Sequence, residues 1–177
     1  MSENRRRVLL LGFGNPGRLD DGLGPALAAL AEKMNLPGLT VEADYQLCLE
    51  DAEAVSRHDV VIFADADVSG PEPFSFRRLE PASSLTFSTH SLSPAGVLGL
   101  ARQLFRAQTE GYILGIRGYA FNEYMESLSE RARANLRAAA AFLERVCREG
   151  CFAEAAEPEV DRGETPETIV ASVNERG

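Results

Sequence analysis

Short apolar runs and stretches of helical spacing alternate along most of this chain. Residues 7–13 and 59–63 each contain four consecutive apolar side chains, which predicts strands that are buried on both faces. Between them, residues 22–34 carry Leu23, Leu27 and Leu30 at spacings of three and four, as on one face of a helix. The pattern therefore begins as strand, helix, strand, which is typical of a parallel sheet covered by helices.

The rest of the sequence continues this alternation. Further elements are predicted in chain order: a strand over 39–43, a helix over 49–56, an edge or antiparallel strand over 74–79 and a last strand over 112–116. Ser93 followed by Pro94 is a typical helix start, and SLSE at 127–130 fits a capping box that opens a final helix. These elements predict an α/β fold: a three-layer sandwich with a mostly parallel sheet of about five strands and helices on both faces.

Composition and charge narrow the possible partners. The chain has 177 residues, 45% hydrophobic and 25% charged, which suits a globular domain. Its net charge is -9, and no cluster of lysines provides a footprint for nucleic acid or for an anionic membrane. The apolar run at 8–11 is too short for a signal peptide or a membrane span. We therefore expect a cytoplasmic protein that binds neither nucleic acid nor membranes. We also expect it to be a monomer.

The end of the chain differs in composition from the rest. From residue 148 onward there are eight acidic and three basic residues, two prolines and little hydrophobic periodicity. This composition predicts a domain over residues 1–147 and an acidic, flexible tail over residues 148–177.

Polar residues that follow the predicted strands are candidate site residues: Asp20, Asp21, Asp65, Asp67 and His90. Because ligands of a doubly wound sheet bind beyond the carboxyl ends of its strands, we expect these side chains to converge on one crevice. Carboxylates and an imidazole form a ligand set that suits nickel or zinc, and they can also perform general acid and base catalysis. One of the two adjacent aspartates also fits a structural role at the start of the first helix, where it would contribute about 1 kcal/mol.

The loop after the first strand supports a competing hypothesis. Its sequence GFGNPG at 12–17 matches the G-x-G-x-x-G pattern of dinucleotide-binding sites, and Glu42 ends a plausible second strand. A pyrophosphate would then lie at the N-terminus of the following helix. Asp20 and Asp21 occupy that part of the sequence, and their charges would repel the phosphates, which disfavours a nicotinamide cofactor.

Four motifs in this order resemble the hydrogenase maturation endopeptidases: LLGFGN at 10–15, LDDGLGP at 19–25, FADA at 63–66 and STHSLS at 88–93. LGI at 114–116 and SLS at 127–129 resemble the C-terminal signature of the same family. The resemblance extends over about residues 7–147, and it is the ordered combination of motifs that makes it specific.

The resemblance implies a function. Members of this family are cytoplasmic proteases, classed as aspartic-type, that remove a C-terminal peptide from the precursor of the nickel-iron hydrogenase large subunit after nickel insertion. The family residues that contact the metal correspond to Asp21, Asp65 and His90, which are thus the expected catalytic and metal-contacting residues. The nickel would arrive with the precursor, so that the protein contacts it only transiently.

Two other functions stay open at this point. The GNPG string at 14–17 also resembles peptidyl-tRNA hydrolases, although the basic residues and the histidine with its neighbouring asparagine that those enzymes carry after it are missing here. Alternatively, the protein could bind nickel or the precursor without cutting it. Cleavage of a nickel-loaded precursor would distinguish the protease from both.

Overall fold

A single five-stranded sheet organises the molecule. The computed structural model describes residues 5–83 and 92–158. The strands are β1 (Val8–Phe13), β2 (Leu39–Asp44), β3 (Val60–Asp67), β4 (Phe74–Leu79) and β5 (Glu110–Arg117). They lie in the order β2-β1-β3-β5-β4, and all neighbours are parallel except β4, which pairs antiparallel with β5 at one edge. The predicted fold class and the edge position of residues 74–79 are therefore confirmed.

Helices cover both faces of the sheet. They are α1 (Leu23–Met34), α2 (Leu49–Ser56), α3 (Pro94–Phe105), α4 (Glu130–Glu149) and the single turn α5 (Phe152–Ala155). Alternate residues of β1 point to opposite sides, so that Leu10 packs in the core under α1 and α4 whereas Leu9 and Leu11 pack under α2 and α3. Burial on both faces explains why this strand is apolar at every position.

Strand β3 is longer than its sequence predicts. It continues four residues past Phe63 because all eight of its residues pair with β5, from Val60 opposite Glu110 to Asp67 opposite Arg117. Apolar patterning does not reveal this extension, because the last residues approach the crevice and alternate between polar and apolar. As a result Asp65 lies within a strand rather than in the turn after it.

The start of α4 also differs from its prediction. The N-cap is Ser129, whose hydroxyl accepts a hydrogen bond from the Ala132 amide, so that the expected capping box over 127–130 is not formed. The amide and the hydroxyl of Ser129 both donate to the buried carboxylate of Asp20. This long-range contact explains why Ser129, and not Ser127, is the N-cap of α4. At α3, by contrast, Ser93 accepts from the Gly96 amide and caps the helix as predicted.

The first part of the segment after Cys147 is folded. The prediction of a flexible tail is therefore wrong for residues 148–158. Helix α4 extends to Glu149, and Phe152 of α5 is buried in the core beside Tyr112. The Glu157 amide then donates to the Phe76 carbonyl on the open edge of β4, at 2.8 Å. The buried Phe152 side chain and the hydrogen bond between Glu157 and Phe76 together anchor an otherwise polar segment. Residues 159–177 of the predicted tail lie outside the described part.

Within residues 5–83 and 92–158, no helix combines the length and the apolar character that crossing a membrane requires.

Candidate active site at the carboxyl ends of the central strands

An open cavity of about 660 Å³ lies at the carboxyl ends of β1, β3 and β5. The chain passes from β1 to β2 on one side and then crosses back to β3 on the other side of β1, so this is the switch point where doubly wound sheets bind ligands. Charged side chains that line the cavity are Asp21, Asp65, Asp67 and Arg77. Three of the five candidate residues from the sequence therefore meet here.

Asp21 is positioned by the glycine loop that follows β1. Its carboxylate accepts a hydrogen bond from the Asn15 amide at 2.9 Å, and it lies in a 3-10 turn, Leu19–Gly22, that leads into α1. The loop approaches this turn so closely that a Cβ on Gly14 would come within 2.1 Å of the Asp21 carbonyl oxygen. Gly14 also has a φ of +136°, which side-chain-bearing residues rarely adopt. The glycines of this loop thus serve to bring Asp21 to the cavity.

Asp20 points away from the cavity into the protein interior. Its buried carboxylate accepts hydrogen bonds from the amides of Tyr119, Ala120 and Ser129 and from the Ser129 hydroxyl, at 2.7 to 3.0 Å. Burial alone would raise the pKa of Asp20, but these hydrogen bonds outweigh it and hold the pKa below its usual value. Asp20 is therefore a structural anchor that ties the segment after β5 to the loop after β1.

Asp65 lines the cavity near the end of β3. Its carboxylate accepts only one hydrogen bond within the described residues, from the Ala66 amide at 2.8 Å. Burial raises the pKa of Asp65 to about 6, and the negative charges of Asp21 and Asp67 contribute in the same direction. A carboxyl group with this pKa can exchange a proton near neutrality. A cation between these carboxylates would relieve their repulsion.

Asp67 combines a structural role with a place at the cavity. One of its oxygens accepts hydrogen bonds from the amides of Ser69 and Gly70, at 3.0 and 2.8 Å, which closes the turn after β3. This turn is the sort that aspartate stabilises in many loops. Asp67 thus adds negative charge at the cavity while one of its oxygens is already engaged.

His90 lies outside the described residues. Within the described ranges, no three histidine, cysteine, aspartate or glutamate side chains converge closely enough to hold a metal ion. The donors that do meet, the carboxylates of Asp21 and Asp65, are oxygen ligands of the kind that divalent metals accept. They fit a metal ion that receives its other ligands from elsewhere, such as a substrate.

The local geometry does not favour the dinucleotide hypothesis. The Asn15 amide, one of the loop groups that would face a phosphate, already donates to the Asp21 carboxylate. Helix α1 begins only at Leu23, after the 3-10 turn that holds both aspartates. The start of the helix is therefore occupied by negative charge.

Sequence reasoning missed Arg77 and Ser75, which come from β4. Their spacing of two places them on one face of a strand, but no sequence signal reveals that this edge strand lies beside β5. Ser75 is opposite Gly115, and Gly115 is opposite Asp65 on the next strand. The sheet order therefore places these β4 residues two strands from the cavity carboxylates.

Comparisons with known proteins agree with this fold. The sequence matches no family model and no curated protein. Among solved structures, HycI, a [NiFe] hydrogenase maturation protease from Thermococcus kodakarensis, is similar with a TM-score of 0.65 and 21% identity, over 82% of this chain and 95% of that one. The endopeptidase HycI from Escherichia coli is 24% identical over 86% of this chain and 99% of that one, with a TM-score of 0.62. The hydrogenase maturating endopeptidase HybD from E. coli is 20% identical over 81% and 93%, with a TM-score of 0.61. This chain thus has the fold of solved hydrogenase maturation proteases, the family that its motifs resemble.

Proposed function

We propose that this protein is a hydrogenase maturation endopeptidase. It would remove a C-terminal peptide from the nickel-loaded precursor of a nickel-iron hydrogenase large subunit, with the nickel as recognition element. The observation that carries this proposal is the meeting of Asp21 and Asp65 in one cavity, at the switch point of a fold shared with solved hydrogenase maturation proteases.

The carboxylates suit a substrate that brings its own cation. Asp65 has one hydrogen bond and two negative neighbours in the described part, so a positive ion delivered by the precursor would stabilise its charged form. We assign Asp21, Asp65 and His90 to contact that nickel. A precursor without nickel would leave the carboxylates repelling one another, and this gives the protein a physical basis for distinguishing loaded from empty substrate.

The proposed reaction is hydrolysis of one peptide bond. Water adds to the carbonyl carbon, the C–N bond breaks, and a proton passes to the leaving amine, so that a carboxylic acid and an amine result. Asp65 is the candidate for the proton transfer because its carboxyl group lines the cavity and accepts only one hydrogen bond within the described residues. We assign this activity to the aspartic type, and we expect the enzyme to act as a monomer in the cytoplasm.

The experiment is to incubate the purified full-length protein with the cognate large-subunit precursor, either nickel-loaded or nickel-free, and to determine the precursor's mass. Loss of a C-terminal peptide from the loaded sample alone is the expected result. A loaded precursor that binds but stays intact would instead identify a non-cutting binding module. Hydrolysis of peptidyl-tRNA, tested in parallel, would instead identify the protein as a peptidyl-tRNA hydrolase.

A further inference from the structure

A second cavity, of about 580 Å³, adjoins the carboxylate cavity. Asp67 and Arg77 line both cavities, so the two are neighbours that meet at these side chains. The second cavity is bordered on its far side by the C-terminal segment at Ala156 and Pro158. Together the two cavities form a groove that leads from Asp21 and Asp65 towards the edge strand β4.

Two polar groups of β4 in this groove have no partner within the described residues. The Arg77 guanidinium is exposed and makes no ion pair or side-chain hydrogen bond there. The Ser75 side chain lies two positions earlier and is 97% buried, yet its hydroxyl oxygen has no hydrogen-bond partner in that part of the chain. Buried hydroxyls are nearly always hydrogen-bonded in folded proteins, and those that are not call for an explanation.

Within the described residues, Arg77 forms no ion pair with the carboxylates that line the same cavity. The Glu157 carboxylate, adjacent across the strand edge, instead accepts from the Phe76 amide at 3.3 Å. Arg78, the next residue, already pairs with Glu80 at 3.7 Å. The positive charge of Arg77 is thus available to a ligand.

Gly115 has no side chain to fill the space between Ser75 and Asp67. A Cβ at this position would come 3.1 Å from the Ser75 hydroxyl and 3.3 Å from an Asp67 carboxylate oxygen. Ser75, Gly115 and Asp65 are in register across three adjacent strands. With neighbouring strands about 4.8 Å apart, Ser75 lies about 10 Å from Asp65, a distance that an extended peptide spans in about three residues.

We propose that Arg77 and Ser75 form a subsite for a carboxylate of the peptide substrate, about three residues from the bond that is cleaved. Arg77 would donate to the carboxylate, and the Ser75 hydroxyl would gain its missing partner from the same ligand. The second cavity is lined by Asp67, Glu80 and Glu157 as well as by Arg77 and Arg78, and this excess of negative charge would repel a phosphate dianion more strongly than a single carboxylate. This inference deepens the proposed function and rests on it for the identity of the substrate.

The subsite can be tested with peptides that contain no hydrogenase sequence. We would titrate the isotope-labelled full-length protein with three acetylated tripeptides and follow its amide signals by NMR. One is a trialanine with a free C-terminal carboxylate, one is its C-terminal amide, and one is an amide with glutamate in the last position. The first and third share the carboxylate but differ in its source, a chain terminus or a side chain.

Binding of either carboxylate peptide, with shifts at the amides of Ser75 and Arg77, is the expected result, and the peptide that binds more tightly identifies the source. Arg77→Gln should weaken this binding about tenfold or more, as expected for loss of a charge-assisted hydrogen bond. The matched control, Arg57→Gln, removes the same charge from an exposed residue at the end of α2 that already pairs with Glu53 and lines neither cavity, so it should leave the affinity within twofold. Equal binding of the amide peptide, or equal losses in the two variants, would overturn the subsite.

Kinetics with the precursor separate this inference from the proposed function. Arg77→Gln should raise KM for the nickel-loaded precursor about tenfold and change kcat little, since the guanidinium would hold the peptide away from the reacting bond. If the unaltered protein does not cut the precursor but the tripeptides bind as described, the proposed function fails and the subsite stands. An unchanged KM in Arg77→Gln contradicts the subsite in an otherwise active enzyme.

Discussion

Asp20 and Asp21 are adjacent in sequence, yet their surroundings differ in almost every respect. The Asp20 carboxylate is buried and receives four hydrogen bonds, three of them from backbone amides. Within residues 5–83 and 92–158, the Asp21 carboxylate receives one hydrogen bond, from Asn15, and it faces a cavity that also contains Asp65. The same side chain thus stabilises the fold at one position and remains available for chemistry at the next.

The comparison shows where a functional carboxylate differs from a structural one. A fully hydrogen-bonded carboxylate stabilises the native state, whereas carboxylates that face each other across a cavity reduce stability and are retained where they have a use. The pKa values follow this division, because that of Asp20 is lowered and that of Asp65 is raised to about 6. Substitution by asparagine removes the charge with little change in size, so it tests each position separately.

Asp20→Asn should have the largest effect on stability. The substitution replaces a charged acceptor by an amide whose NH₂ group faces backbone N–H donors, and the free energy of unfolding should fall by about 3 kcal/mol at pH 7. Because the pKa of Asp20 is lowered in the folded state, its contribution is present above pH 4 and is lost as the pH falls through the folded-state pKa. Urea unfolding followed by circular dichroism at several pH values measures both effects, and a loss below 1 kcal/mol would contradict the anchor role.

Asp65→Asn should have a smaller effect on stability, and in the opposite direction, so that the free energy of unfolding rises. The pKa of Asp65 is about 6 in the folded protein against an ordinary value of 3.8, so raising the pH from 4 to 6 removes its proton first from the unfolded chain and thereby destabilises the native state. A pKa of about 6 implies a penalty of roughly 3 kcal/mol, which the partial exposure of Asp65 reduces. The variant lacks this penalty and should be about 2 kcal/mol more stable than the unaltered protein at pH 7.5. The two should have equal stability near pH 3.5. A variant that is less stable at pH 7.5 would show that the cavity does not penalise the charge of Asp65.

Asp21→Asn should have the smallest effect on stability. The asparagine side-chain oxygen can still accept from the Asn15 amide, and one source of repulsion on Asp65 disappears. We expect the free energy of unfolding to change by less than about 0.5 kcal/mol, the usual range for substitutions that disturb no buried contact. Thermal unfolding of Asp21→Asn and Asp20→Asn under the same conditions measures this change in stability. Similar losses in both variants would remove the distinction between the two residues.

The fold could be predicted because its strongest signals are local. Continuous apolar runs mark β1 and β3, and Ser93 with Pro94 marks the start of α3. The errors occur where a distant contact decides the outcome. Asp20 selects Ser129 as the cap of α4, and Phe152 anchors a polar segment that composition assigns to a flexible tail.

The candidate site could be predicted in part for a related reason. Parallel strands bring their carboxyl ends together, so residues that follow β1 and β3 are expected at one crevice. The residues alone could not distinguish Asp20 from Asp21, because this depends on which of them reaches the backbone of the segment 118–129. Arg77 and Ser75 were missed because the sequence does not show which strand β4 lies beside, and this neighbour follows only from the folded topology.

The most direct test of this account compares the initial rates at which Asp20→Asn and Asp21→Asn release the C-terminal peptide from the nickel-loaded precursor. Both variants would be assayed by mass spectrometry at a temperature where circular dichroism shows them to be folded. We expect the rate of Asp21→Asn to fall about a hundredfold or more, whereas folded Asp20→Asn should keep at least about a tenth of the unaltered rate. Equal rates in the two variants, or full activity in Asp21→Asn, would contradict it.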